Sequence, residues 1–146
     1  MRRALAVLVL AAACSKQPPP STPALPSGPV LYDRLGRMDV IKDIVDDFVG
    51  ERLVTGPLAA RFAHTDLARL EDNLATQLCE LSGGPCKYTG RAMGEAHASM
   101  TISDADFTAF LAAFQQSLAK FGIRAAEQDE LLGKLRALRD QIVAAQ

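Results

Sequence analysis

The sequence has no tryptophan, only two histidines and only three cysteines among its 146 residues. Two histidines exclude any site built from three imidazoles, and three cysteines exclude a disulfide-dense mini-scaffold. There is no basic excess. Sixteen lysines and arginines stand against 17 acids, for a formal net charge of -1, whereas a nucleic-acid binder gathers a positive surplus on one face. No apolar run approaches the roughly 20 residues that a membrane-spanning helix needs. What remains is 49% hydrophobic and 23% charged, a composition that fits one globular domain rather than disorder.

That average conceals an uneven start. Met1-Arg2-Arg3 is a basic n-region, and Ala4 to Ala13 is an unbroken apolar run of ten residues, the dimensions of a signal-peptide core. The run ends Ala11-Ala12-Ala13-Cys14. This resembles a bacterial lipobox, in which the cysteine is lipidated and becomes the mature N-terminus. Ala11 stands where that pattern usually has a larger aliphatic residue. Ser15 and Lys16 follow, with no aspartate after the cysteine; in lipoproteins of Gram-negative bacteria this favours the outer membrane. The alternative is ordinary signal cleavage, which leaves Cys14 a spare thiol. Either way the expectation is an exported protein, on the periplasmic side of the envelope. Its only membrane contact would be the N-terminal lipid. Residues 15–29 contain six prolines and are expected to form an extended, semi-rigid tether. The expected organisation is a leader over 1–13, a lipidated cysteine and tether over 14–30, and a folded domain over 31–146. Losing residues 1–13 removes two arginines, so the exported form has 14 basic and 17 acidic side chains and a net charge of -3.

The last 116 residues read as punctuated helices. Val40, Ile41, Ile44, Val45, Phe48 and Leu53 recur at three- and four-residue spacing, predicting a helix from about Asp39 to Val54. Thr65 or Asp66 caps a second, carrying Leu67, Leu70, Leu74, Leu78 and Leu81, and Gly83-Gly84-Pro85 ends it. A short helical piece lies near Ala92 to Ala98. Ser103-x-x-Asp106 reads as a capping box before Phe107, Phe110, Leu111, Phe114 and Leu118, with Gly122 at the far end. A last helix runs from about Ala126 to Val143. Nothing reads as a strand. The expected class is all-α, with about four main helices.

Two features ask for more than packing. One is the poorly helical stretch from Leu81 to Ile102, long for so small a domain. The other is His97 within it, with Met93 four residues before and the small residues Ala96, Ala98 and Ser99 beside it. On spacing alone a single histidine is more often a core or surface residue than a ligand, and no second metal ligand accompanies it. A site with one protein ligand fits haem, whose porphyrin supplies the four equatorial donors.

Leu31-Tyr32-Asp33-Arg34-Leu35-Gly36, Val45-Asp46-Asp47-Phe48 and Arg61-Phe62-x-x-Thr65-Asp66-Leu67-x-Arg69-Leu70 occur in that order. Gly83-Gly84-Pro85-x-x-Tyr88-Thr89-Gly90, Met93-x-x-Ala96-His97 and Ile102-x-Asp104-x-x-Phe107 follow. Together they cover nearly the whole domain and resemble a group I truncated haemoglobin, the short two-over-two globin. One family glycine pair is broken, because Arg37 follows Gly36. The resemblance implies a two-over-two helical sandwich holding haem b, with His97 as the axial iron ligand. It places Phe62 against the porphyrin. Met93, Ala96, Ile102, Phe107 and Phe110 would line the proximal side and cavity, and Thr65, Arg69 and Tyr88 would contact the propionates. Read without the resemblance, Phe62 is ordinary core, and an arginine or a tyrosine hydroxyl needs no ligand. His64 matches no family ligand.

In oxygen-binding members of that family a tyrosine follows the helix phenylalanine and a glutamine sits on the next helix, both donating to O2. Here those positions are Val49 and Leu74, with Leu70 at the usual distal place. The distal face therefore reads as apolar: Phe48, Val49, Phe62, Leu70 and Leu74. Losing such a hydrogen bond costs on the order of 1–3 kcal/mol, or roughly ten- to a hundredfold in O2 dissociation. CO and NO depend less on donors. Asn73 and Gln77 are placed by helical spacing beside the pocket rather than over it.

Cys79 and Cys86 straddle the glycine turn. In a cytosol they would be free thiols or half of a metal site; export turns the expectation to a disulfide, worth roughly 2–3 kcal/mol in the chain-entropy model. Three function classes follow. The first is a haem module that binds a diatomic gas (O2, NO or CO) reversibly and is not an enzyme. The second is a haem enzyme, an NO dioxygenase or a peroxidase, drawing on an unidentified electron donor. The third is a haem-free helical envelope lipoprotein acting as a binding module. The apolar distal face argues against the second, because peroxide cleavage needs a polar acid–base group nearby.

Overall fold

The apolar spacing resolves into helices whose breaks coincide with the glycines and caps. A computed structural model describes residues 28–143; the expected leader, Cys14 and the tether up to residue 27 lie outside the described residues. The chain forms α1 (Leu31–Arg34), α2 (Arg37–Asp47), a π-helical segment (Phe48–Leu53) and α3 (Ala59–Phe62). Then come α4 (Leu67–Leu81), α5 (Met93–His97), α6 (Asp104–Lys120), α7 (Ala125–Arg136) and α8 (Arg139–Ile142). There is no strand among the described residues, and no helix there is long and apolar enough to cross a membrane. α2 packs on α4, the π segment on α6, and α6 on α7, which gives two helix pairs, one laid over the other.

Local chemistry sets each boundary. Gly36 lies at φ +92°, and a Cβ there would fall 2.6 Å from a Val40 methyl, so only glycine fits the turn between α1 and α2. Arg37, the next residue, is also left-handed at φ +66°. A side chain at such a φ is strained by about 1–2 kcal/mol. Its ion pair with Asp33, 2.9 Å long and exposed, returns little of that. Arg37→Gly is therefore expected to stabilise the fold by about 0.5 kcal/mol after the extra chain entropy of glycine is charged against it, raising Tm by about 2 °C. A lower Tm would show that Arg37 contributes more than its backbone costs.

The expected helix over 39–54 is not uniform. From Phe48 its ladder widens to i→i+5, a geometry often found where a helix serves a site. The wider turn brings Leu53 round to the azimuth of Phe48, so that Phe48, Val49 and Leu53 are all fully buried. Phe48 forms the centre of the core, edge-on to Phe110 at 4.9 Å and to Phe114 at 5.1 Å. Just before it the buried Asp47 accepts from Ser117 Oγ at 2.6 Å and pairs with Lys120 and, at 3.4 Å, with Arg52. Burial pushes the Asp47 carboxyl up, but the bonds from Lys120 and Ser117 outweigh it and hold the group below its ordinary value. This ionised anchor fixes the start of the π segment against α6.

Asp66, rather than Thr65, caps α4 by accepting from the Arg69 N–H at 3.1 Å. The Ser103–Asp106 capping box is formed in both directions. The last expected helix is broken, since α7 ends at Arg136 and a turn at Ala137–Leu138 precedes α8. That break lets α8 pack against α5. Arg34 reaches from α1 to Glu127 (3.2 Å) and Glu130 on α7, closing the ends of the bundle.

Candidate functional site

His97 is the last residue of α5 and is half-buried. Its Nδ1 lies 2.8 Å from the Met93 carbonyl oxygen, one helical turn back. A carbonyl can only accept, so Nδ1 is the donor, and in the neutral ring Nε2 is then the nitrogen with the free lone pair. The bond orients the ring through one nitrogen and leaves Nε2 as the nitrogen that could bind a metal. Among the described residues no group of three or more His, Cys, Asp and Glu side chains could hold a bare metal ion. The donor set therefore fits a metal that brings its own equatorial ligands, as haem iron does.

The other expected lining residues divide by position. On α5 and after it, Met93, Ala96 and Ile102 are half-buried. α6 contributes Phe107, which is buried, and Phe110, which is half-buried against Phe48. Phe48 and Val49 come from the π segment, Leu70 and Leu74 from α4, and Phe62 ends α3. Val49 and Leu74 are buried, while Leu70 and Phe62 pack half-exposed on the same core. None of these five carries a side-chain donor. Gln77, on the same helix as Leu74, gives its amide N–H to Met93 Sδ at 3.1 Å, which ties α4 to α5.

The polar trio is less convergent. Thr65 and Arg69 are exposed at the start of α4. Tyr88 is half-buried and its hydroxyl donates to the Arg91 carbonyl at 3.0 Å. A contact from that hydroxyl hydrogen to a carboxylate would require this bond to break. Tyr88 folds closely over its own loop: a Cβ at Gly90 would sit 2.3 Å from the hydroxyl oxygen. A separate cleft of about 360 Å³ between α6 and the C-terminal helices includes Phe107, Leu111, Arg136 and Arg139, and shares only Phe107 with the expected site.

Cys79 and Cys86 are joined in a disulfide with their Cα atoms 5.8 Å apart. Gly84 makes the bridge feasible, because a Cβ there would fall 2.7 Å from Cys79 Sγ and 2.6 Å from the Tyr32 ring. Glu80 adds two further ties to the same loop, to Lys87 at 3.1 Å and to the Tyr88 N–H at 3.2 Å. The segment leading to His97 is thus stapled along the end of α4.

Sequence reasoning left Arg61 without a role. Its guanidinium forks onto Asp106 (Nε to Oδ1 2.9 Å, Nη2 to Oδ2 2.6 Å) and also donates to the carbonyls of Met100 and Thr101 at 3.1 and 3.4 Å. The Ser103 hydroxyl and N–H, and then Arg61, hold the Asp106 carboxyl below its usual range, so the ion pair is charged. The acceptors lie 39 to 45 residues away, beyond any helical spacing.

Residues 30–144 match the family described as bacterial-like globin. The group 1 truncated hemoglobin of Nostoc sp. (strain MUN 8820) is 29% identical over 114 residues, covering 77% of this chain and 96% of that protein. The one from Mycolicibacterium paratuberculosis is 25% identical, covering 80% and 85%. The crystal structure of truncated hemoglobin from Tetrahymena pyriformis, in the Fe(III) form, superposes with a TM-score of 0.76 at 25% identity, over 80% of this chain and all of that one. The 2/2 hemoglobin of Synechococcus sp. PCC 7002 gives 0.70 over 78% and 98% at 22% identity, a likeness of fold. With the helix pairs and the His97 geometry, these matches make the chain a member of the bacterial-like globin family with the truncated two-over-two fold.

Proposed function

We propose that the protein binds haem b through His97 Nε2 and takes up a diatomic gas reversibly on the opposite, apolar side. The observation that carries this reading is the 2.8 Å bond from His97 Nδ1 to the Met93 carbonyl, which fixes the tautomer that an axial ligand needs. Bound there, haem would supply its own ring nitrogens and an iron able to take up a gas. The chain supplies the rest. Phe62 would pack on the porphyrin, and Met93, Ala96, Ile102, Phe107 and Phe110 would wall the proximal side. Phe48, Val49, Leu70 and Leu74 would keep water from the gas. With no donor among them, the pocket favours CO and NO over O2. The disulfide supports an oxidising compartment, in keeping with export and attachment through Cys14 on the periplasmic side, at the outer membrane.

The test is to equilibrate the reduced, haem-loaded protein with CO, then O2, then argon, while recording its visible spectrum. The expected result is a CO change at low gas pressure, an O2 change only at high pressure, and return to the starting spectrum under argon. A tight O2 complex, or no response to either gas, contradicts the reading.

A further inference from the structure

Arg61 is joined to both sides of the expected haem site. It immediately precedes Phe62 in α3. Its guanidinium reaches the corner between α5 and α6, where it holds two successive carbonyls and the carboxylate that caps α6. That corner begins one residue after His97, and the Met100 N–H donates to the His97 carbonyl at 3.0 Å. It is also strained. Thr101, a β-branched residue, lies at φ +46°, where such side chains are genuine outliers. A strained corner persists only when its surroundings over-determine it. Here the surroundings are Arg61, Asp106 and the Ser103 capping bonds.

We propose that Arg61 is a positioning residue. It locks the Phe62 segment to the corner behind His97, fixes the direction of the imidazole, and slows escape of haem from between the two segments. The inference rests on the haem reading above. Arginine is needed for its planar fork, which serves a carboxylate and two carbonyls together; a lysine ammonium is a point charge that keeps the ion pair and loses the fork. An isolated exposed ion pair would do little. This one is bidentate, belongs to a capping network and joins α3 to the start of α6 across 45 residues of sequence.

The experiment compares the full chain with Arg61→Ala, Arg61→Lys and Asp106→Asn. Three quantities are read: the iron–histidine stretching band of the ferrous haem form by resonance Raman, the rate of haem transfer to excess apomyoglobin, and amide exchange at Met100 and Ser103 without haem. Arg61→Ala and Asp106→Asn are expected to shift and broaden the band and to speed haem loss by about three- to tenfold. Arg61→Lys should fall between them and the parent. Faster haem loss with an unmoved band would mean general destabilisation and overturn the proposal, as would variants identical to the parent. If Arg61→Ala fails to fold, the other two variants carry the same test. If the parent takes up no haem, the haem reading fails by itself. Amide exchange then decides the role of Arg61: faster exchange in the variants supports it, and unchanged exchange rejects it.

Discussion

Val49→Tyr is expected to slow O2 release by about ten- to a hundredfold, the equivalent of one hydrogen bond to O2 made in a water-poor pocket. Val49 is fully buried on the π segment, directly after Phe48. Leu70 and Leu74 stand on α4, with no donor among them. A phenol at position 49 would bring an O–H to a face that has none. It would also overfill a packed site, at about 1–3 kcal/mol of stability. Val49→Phe separates the two effects, since it adds nearly the same bulk without the hydroxyl. Stopped-flow displacement of O2 by CO should show slow release for the tyrosine variant and fast release for the phenylalanine variant. Equal rates in both would mean that position 49 does not face the gas.

His97→Ala is expected to abolish stable haem retention. No other residue of α5 offers an imidazole: Met93 brings a thioether one turn back, and Gly94, Glu95 and Ala96 bring no nitrogen ligand. The substitution leaves the helical core intact, because His97 is half-exposed and outside the buried cluster. Circular dichroism should therefore match the parent while haem is lost on gel filtration. Added imidazole should restore part of the haem spectrum by filling the vacated position. A variant that retains haem without imidazole would move the axial ligand away from His97.

Much of this was legible in the residues. Apolar spacing gave the long helices, Ser103 and Asp106 marked the start of α6, and Met93-x-x-Ala96-His97 singled out the candidate ligand. The Cys79–Cys86 bond followed from their spacing across a glycine turn in a chain expected to be exported. What escaped depends on contacts that no short spacing encodes. Asp47 had no role in the sequence beyond its place in the resemblance, and its burial depends on Ser117 and Lys120, 70 and 73 residues away. Arg61 was visible as part of a resemblance, but its work depends on the carbonyls of a distant corner. The π turn arises from how Phe48, Val49 and Leu53 share one core face, a tertiary demand that an α-helical pattern does not announce. Tyr88 matched a propionate contact in sequence, yet its hydroxyl turns to the Arg91 carbonyl, a bond that Gly90 makes sterically possible.

The most direct test of the central claim is a titration of the purified apo-protein with haemin, followed by its Soret absorption after reduction. Saturation is expected at one haem per chain, with a ferrous spectrum typical of five-coordinate haem held by one neutral histidine. A Soret band that never develops, or one that develops equally in His97→Ala, contradicts it.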